Sequence, residues 1–389
     1  MRPFAHRTRH AELPLLPALL ALLALFALAS GGPACSSATG ERTGKYAATR
    51  EVMHTIATLT VIAPSSEQAA RGLEAGFAAL DSVDHWMNAY DPASELARVN
   101  AGARAAPVAV GPETFAVIER ALHFSRATDG AFDITVGPLI ALWRRAAEAQ
   151  RLPTPTTLER VRAQIGSGRV DLDRDARTVL FLADSVRLDL GGIAKGFAID
   201  EAVEALRGAG IAAGIVEVGG DLRCFGRLPA SLVGVAPDRL RGGVWATPEV
   251  EAGDVRSWPL GVQDPFSEGL LGKIRVPEGA VATSGHYRRY SEIEGRRYSH
   301  ILDPRTGWPV ADPASVTVIA PSALEADALA TAISVLGLEA GLALAAARPG
   351  VEALVVSGTP AAPRIERTPG FPMVEPLSSG SAPAGGDGR

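Results

Sequence analysis

Cysteine is nearly absent: the 389 residues contain only Cys35 and Cys224. Two cysteines cannot build a disulfide framework or a cysteine-rich zinc site. Aromatic residues are scarce at 5%, and no long basic run exists in a chain of formal charge −5, which argues against nucleic acid as a partner. No apolar run reaches the roughly 20 residues needed to span a bilayer. Several signatures are also missing. There is no G-x-x-x-x-G-K-[ST] phosphate loop, no G-x-S-x-G elbow and no H-E-x-x-H, and no G-x-G-x-x-G follows a predicted strand. What is present is an apolar share of 47%, much of it alanine, with 41 glycines and 28 prolines. That is too apolar for a disordered chain and enough to bury a large core, as one big domain or two modest ones.

The N-terminus reads as an address. Three arginines (Arg2, Arg7, Arg9) precede an apolar run from Leu15 to Ala29, interrupted only by Pro17. A basic start, a short apolar middle and small residues behind it describe a secretory signal over residues 1–34. Cys35 then sits where bacterial lipoproteins carry their lipid, and ordinary cleavage near Ala29 is the competing reading. Removing the signal leaves a net charge of about −7. Residues 35–49 begin small and polar, as in a flexible tether. The Ser/Gly/Ala/Pro-rich residues 376–389 read as a disordered tail. Cys224 is expected to act as a small buried hydrophobe.

Between the tails, residues 50–375 show no internal repeat and no linker. Val52–Ile62 alternates like a strand, while Glu67–Met87 and Pro112–Thr128 have helical spacing. Val170–Asp173 and Val179–Leu182 suggest a hairpin. A strand over Val186–Leu190, a helix over Ala194–Arg207 and a strand over Ala213–Val218 follow. Later come a strand near Val316–Ile319, helices over Ala323–Leu336 and Leu338–Ala347, and a strand over Val351–Val356. Strands and helices mix without a βαβ rhythm, so the expected class is α+β: one compact unit with mixed sheets and flanking helices, in one or two lobes.

Four constellations carry chemistry. In Leu188-Asp-Leu-Gly-Gly-Ile-Ala-Lys-Gly, a strand runs through Gly191-Gly192 into a helix. Paired glycines let backbone approach a ligand, and a helix start offers N–H groups to phosphate. Lys195 in the first turn opposes the helix dipole, a penalty that a bound anion would reverse. A lysine reaching to water is the competing reading. In Ser322-Ala-Leu-Glu-Ala-Asp-Ala-Leu-Ala-Thr, a capping box starts a helix and sets Asp327 and Thr331 one turn apart on one face. Their oxygens suit a hard cation such as Mg²⁺; an acid that merely complements the dipole is the alternative. Ala282-Thr-Ser-Gly-His-Tyr precedes Tyr298-Ser-His-Ile-Leu-Asp-Pro-Arg-Thr-Gly, whose His300 lies beside a turn and can take a proton near neutral pH; a hairpin with a structural histidine is the competing reading. In Gly130-Ala-Phe-Asp-Ile-Thr-Val-Gly, a buried Asp133 needs partners, either a base edge or a turn that it caps.

Together, in this order, these strings resemble the ApbE family, the FAD:protein FMN transferases. Asn88-Ala-Tyr-Asp-Pro-Ala-Ser-Glu-Leu, Val99-Asn100 and Gly219-Gly-Asp221 extend the likeness over roughly residues 50 to 345. The resemblance implies FAD contacts at Met53, Tyr90, Ala131, Phe132, Asp133, Asp189, Lys195 and Ile301. It implies Mg²⁺ ligands at Gly192 (through its carbonyl), Asp327 and Thr331, and places His300 and Ser284 beside the reacting phosphate. Where the family reads Met-Gly-Thr this chain has Met53-His54-Thr55, and a glycine there would fit close backbone approach to the flavin. Asp221 and Arg305 are left outside the candidate set. The implied reaction moves the FMN half of FAD onto a threonine hydroxyl of an acceptor and releases AMP. The family's acceptors are membrane redox subunits with a small-residue motif ending in Ala-Thr or Ala-Ser, which agrees with export and lipid anchoring toward the periplasm or cell exterior. Hydrolysis of FAD to FMN and AMP, and flavin binding without catalysis, are the alternatives. Ser37-Ala38-Thr39 resembles the acceptor motif but reads as tether.

Overall fold

The apolar alternation that suggested one strand over Val52–Ile62 belongs to two. In the computed structural model, which describes residues 43–229, 238–239, 257–285 and 290–376, β1 (Gly44–Val52) pairs antiparallel with β2 (Thr55–Ala63). Val52 faces Thr55, so Met53-His54 is a two-residue turn. Both residues have positive φ, 53° and 57°, the signature of the type I′ turn that favours glycine at its second position. The glycine expected at position 54 thus has a local backbone reason, independent of any ligand. β1 also includes residues 44–49 of the expected tether. Cys35, the signal segment, the rest of the tether, His286, Tyr287 and residues 377–389 lie outside the described residues.

The other strands are β3 (Val108–Ala109), β4 (Val170–Asp173), β5 (Thr178–Phe181), β6 (Ala213–Val218), β7 (Asp221–Phe225), β8 (Asp238–Arg239), β9 (Trp258–Gln263) and β10 (Leu270–Val276). They continue with β11 (Gly279–Gly285), β12 (Tyr290–Ile293), β13 (Arg296–Ser299), β14 (Ser315–Ala320), β15 (Glu352–Thr359) and β16 (Ala362–Arg367). Nine of them form one sheet in the order β16-β15-β14-β11-β7-β6-β2-β1-β8. Its pairings are antiparallel except for β1 with β8. Antiparallel pairing with helices on one face is the expected α+β arrangement.

Period-2 alternation assigns the two faces of the sheet. Leu59, Val216, Phe225 and Val318 point into the main core, against the helices Ser66–Met87, Ala194–Gly208 and Ala323–Leu336. On the first of these, Leu73, Phe77, Leu80 and Val83 are buried at helical spacing, and Ser65 caps the start by accepting from Gln68 N–H. The reverse face presents Ile62, Cys224, Val281 and Leu354 to Trp258, Leu260 and Ile274 of the β9–β10 hairpin and to Phe371. The C-terminal segment holds that hairpin through paired backbone bonds between Lys273 and Glu375. Cys224 is therefore the buried hydrophobe expected, and burial pushes its thiol pKa up. A smaller cluster joins Leu142 and Trp143 of the helix Gly137–Glu148 to Leu158 and Val161 of the helix Pro155–Arg162 and to Ile293 of β12.

One expected strand does not form. Val186, Leu188 and Leu190 are buried, but the ladder partner of Leu188 is a side chain. Asn100 accepts its N–H at 2.7 Å and donates to its carbonyl at 2.9 Å. A single amide thus satisfies the backbone that a neighbouring strand would otherwise pair. No helix among the described residues is long and apolar enough to cross a membrane.

Candidate active site

The helix carrying Asp327 and Thr331 is buried nearly all round: Leu324, Ala326, Ala328, Leu329, Ala330 and Ile333 are all in the core. Its start is capped twice. Ser322 Oγ accepts the Glu325 N–H at 3.2 Å, and the Asp200 carboxylate accepts those of Ala323 and Leu324 at 2.9 Å each. Three of the four orphan donors of a helix start are thereby satisfied. Asp200 also accepts from Arg223 at 2.8 Å.

An ionised aspartate on such a helix needs partners, and it finds them on the helix Ala194–Gly208. The two helices touch at Gly196, where a Cβ would stand 2.2 Å from the Ala323 carbonyl oxygen. Only glycine allows that approach, and it delivers Lys195 to Asp327. Lys195 Nζ lies 3.2 Å from both Asp327 oxygens and 2.6 Å from Asp221 Oδ2. The Gly196 N–H, one of the orphan donors of its own helix, adds a bond to Asp327 Oδ2 at 3.1 Å. Burial works against the Lys195 ammonium, but the carboxylates of Asp221 and Asp327 outweigh it and hold its pKa above the ordinary value. Burial pushes the Asp327 carboxyl up to about 6, with Lys195 and the Gly196 N–H pulling it back. Lys195 is therefore an ion-paired residue and does not reach freely to water. Asp221, set aside in the sequence, is central. Its other oxygen accepts the Thr283 N–H at 3.0 Å, which ties in β11 immediately beside Ser284.

Thr331, one turn beyond Asp327, meets the glycine turn directly. A Cβ on Gly192 would stand 3.2 Å from both Thr331 Oγ1 and Phe132 Cε2. Gly192, Thr331 and Phe132, far apart in sequence, thus share one corner with Asp327. Among the described residues no group of three or more His, Cys, Asp or Glu side chains is arranged to hold a metal. One carboxylate, one hydroxyl and a glycine backbone turn form the kind of sparse, all-oxygen donor set that fits Mg²⁺, which takes one or two carboxylates and completes its shell from phosphate and water.

The residues assigned to the flavin gather less tightly. Ala131 and Ile301 share a small apolar cluster with Val335, one turn beyond Thr331. The Asp133 carboxylate is engaged by protein donors. Oδ1 accepts Thr135 N and Oγ1 at 2.8 and 2.7 Å, and Oδ2 accepts Ser125 Oγ and Ser167 N at 3.1 Å. All four lone-pair sites are taken by protein donors, and Asp133 caps the turn that follows it. The Asp189 N–H donates to the Ile134 carbonyl at 2.7 Å, docking the glycine turn onto this loop. Burial raises the Asp189 pKa, countered by the Gly191 N–H, Arg187 and Arg144. Arg144 also donates to Tyr90 Oη at 2.5 Å and stacks over its ring. Arg144 is a second residue the sequence reading missed; no motif marks it, since it lies in a helix rich in arginine and alanine. Tyr90 is exposed. Its N–H donates to Asn88 Oδ1 at 2.9 Å, and Asn88 Nδ2 stands 3.5 Å from His54 Nε2, so the Met53-His54 turn borders the same loop. His300 is exposed, one residue past β13 and next to buried Ile301. The turn after it is fixed by Arg305, which pairs with Asp303 at 2.9 Å and donates to the Val335 carbonyl at 3.3 Å.

The family model described as "ApbE family" matches residues 53–355. A FAD:protein FMN transferase of Treponema pallidum is 33% identical over 325 residues, covering 81% of this chain and 85% of the relative. One of Vibrio cholerae is 36% identical over 271 residues, covering 69% and 74%. Among solved structures, the ApbE protein of Thermotoga maritima superposes with TM-score 0.69 at 32% identity, covering 84% of this chain and 97% of that one. The flavin transferase ApbE of Vibrio cholerae gives 0.67 at 27% identity, with 85% and 98% covered. The glycine turn, the Asp327 helix and the fold around them thus occur in a chain that matches these proteins along most of its length, and it belongs to the ApbE family.

Proposed function

We propose that this protein transfers the FMN half of FAD onto a threonine hydroxyl of an acceptor protein and releases AMP. The observation that carries this reading is the corner where Asp327, Thr331, Lys195 and the Gly192 turn converge, in a chain whose relatives are named FAD:protein FMN transferases. The acceptor oxygen attacks the FMN phosphorus, the bridging P–O bond of the pyrophosphate breaks, and AMP leaves with the electron pair. Such a transfer requires charge placed on phosphate and an aligned nucleophile. Mg²⁺ held by Asp327, Thr331 and the Gly192 carbonyl would supply neutralisation of the pyrophosphate and the departing AMP. Lys195 offers a further positive charge. His300 takes the hydroxyl proton; its exposure suits a base that must meet a residue arriving on another protein. Ser284 follows Thr283, whose N–H is anchored by Asp221.

The decisive assay incubates the protein with FAD, Mg²⁺ and an acceptor domain. Flavin fluorescence on the acceptor band of a denaturing gel is the expected result. Free FMN and AMP alone would make the protein a hydrolase, and unchanged FAD a binding protein. Export and lipid attachment at Cys35 belong to the same reading. They are supported by the basic start and the Leu15–Ala29 run, and Cys35→Ala is expected to move the protein from the membrane to the soluble fraction.

A further inference from the structure

Asp327 has two suitors. As the one carboxylate among the three assigned metal ligands, it must offer an oxygen to the cation. Yet both of its oxygens face Lys195 Nζ at 3.2 Å, and one also accepts the Gly196 N–H. An ammonium and a divalent ion cannot both sit within contact distance of one carboxylate in a largely desolvated corner without strong repulsion. Lys195 has a long, flexible stem and three donors that follow whatever anion is nearest. Its Asp327 contacts are the looser ones, 3.2 Å against 2.6 Å to Asp221.

We propose that Lys195 is a displaceable counter-ion for Asp327, and that it makes cation binding depend on the pyrophosphate. When the cation takes Asp327, the ammonium turns away from it, and the pyrophosphate of FAD is the anion that receives it. Cation and dinucleotide then bind with positive coupling, because each relieves a cost the other would otherwise bear. Asp221 is the pivot. It keeps one bond to Thr283 on β11 while the other oxygen holds the lysine through the turn. The inference rests on the assignment of Asp327 as a metal ligand and adds an order of events to it.

Two measurements test it. First, Mn²⁺ binding without FAD is followed by the loss of free-ion electron paramagnetic resonance signal, for wild type, Lys195→Met and Asp327→Asn. Lys195→Met is expected to bind Mn²⁺ on the order of tenfold more tightly than wild type and to lose most of the tightening that FAD gives. Equal or weaker Mn²⁺ binding by folded Lys195→Met overturns the proposal. Asp327→Asn is expected to lose Mn²⁺; if it keeps wild-type affinity, the metal assignment itself fails and the proposal with it. Second, the wild-type protein decides the case if Lys195→Met does not fold. Reductive methylation of Lys195, read by peptide mass spectrometry, is expected to rise about tenfold with saturating Mg²⁺ alone and to fall when FAD is added with Mg²⁺. A rate unmoved by saturating Mg²⁺ overturns the proposal.

Discussion

Asp327 Oδ2 accepts the Gly196 N–H at 3.1 Å, so a carboxylate from the middle of one helix closes the open start of another. The bond exists only because Gly196 has no side chain where the helices touch. A Cβ there would meet three backbone atoms, the Ala323 oxygen at 2.2 Å, its carbonyl carbon at 2.5 Å and Leu324 Cα at 2.7 Å. Backbone cannot rotate out of the way as a side chain can. Gly196→Ala is expected to cost about 3 kcal/mol of stability and to remove transfer activity by separating Lys195 from Asp327. Chemical denaturation and the gel assay check it, and a variant of wild-type stability would show that the helices part without cost.

Asp200 links three elements through one carboxylate, accepting from Arg223 and from two N–H groups at the start of the Asp327 helix. Asp200→Ala leaves Arg223 without its ion-pair partner and two helix-start donors unpaired. The expected loss is about 3 kcal/mol, with Asn recovering part of it. Thermal melting of both variants is the measurement. A loss below about 1 kcal/mol would mean that water replaces the cap.

His54 occupies a left-handed position, φ 57°, in a turn type that favours glycine there. His54→Gly is expected to raise stability by about 1 kcal/mol, the difference between a side chain held in that region and a residue that enters it freely. A lowered melting temperature would show that the 3.5 Å contact between His54 and Asn88 outweighs the backbone cost.

His300→Asn is expected to lower transfer by about 10²- to 10⁴-fold, the usual cost of losing a general base, while FAD binding measured by flavin fluorescence quenching changes little. Asn preserves hydrogen bonding and similar bulk but cannot take up a proton. Equal losses in binding and transfer would make His300 a positioning residue.

The helices were legible because local chemistry decides them. Ser322 and Ser65 cap two of the helices whose starts were legible to within a residue, and the buried spacing of Leu73, Phe77 and Leu80 repeats every three to four positions. The extended segments were less legible, because a strand is defined by its neighbour. Val186–Leu190 has the apolar alternation of a strand, yet Asn100 takes the place of the neighbour. At the site, glycine pairs, the capped acid and Lys195 stood out in the sequence, whereas their relation did not. Nothing local in Gly219-Gly-Asp221 says that Asp221 will reach Lys195, 26 positions earlier, because that contact is made by a strand end meeting a helix start. Arg144 is silent for the same reason. Asp133 looked poised for a ligand because a buried acid demands donors, and the structure supplies all of them from protein.

The order of strands in the main sheet has a consequence for when this protein can act. Strands β1, β2, β6 and β7 come from before residue 230, strands β11, β14, β15 and β16 from after residue 257, and the two sets join at three residue pairs between β7 and β11. The site straddles that seam: Gly192, Lys195 and Asp221 belong to the first set's half of the chain, and Ser284, His300, Asp327 and Thr331 to the second's. Neither half alone brings Lys195 to Asp327 or the Gly192 turn to Thr331. A nascent chain therefore cannot assemble these contacts until its last third has been made and has paired with β7.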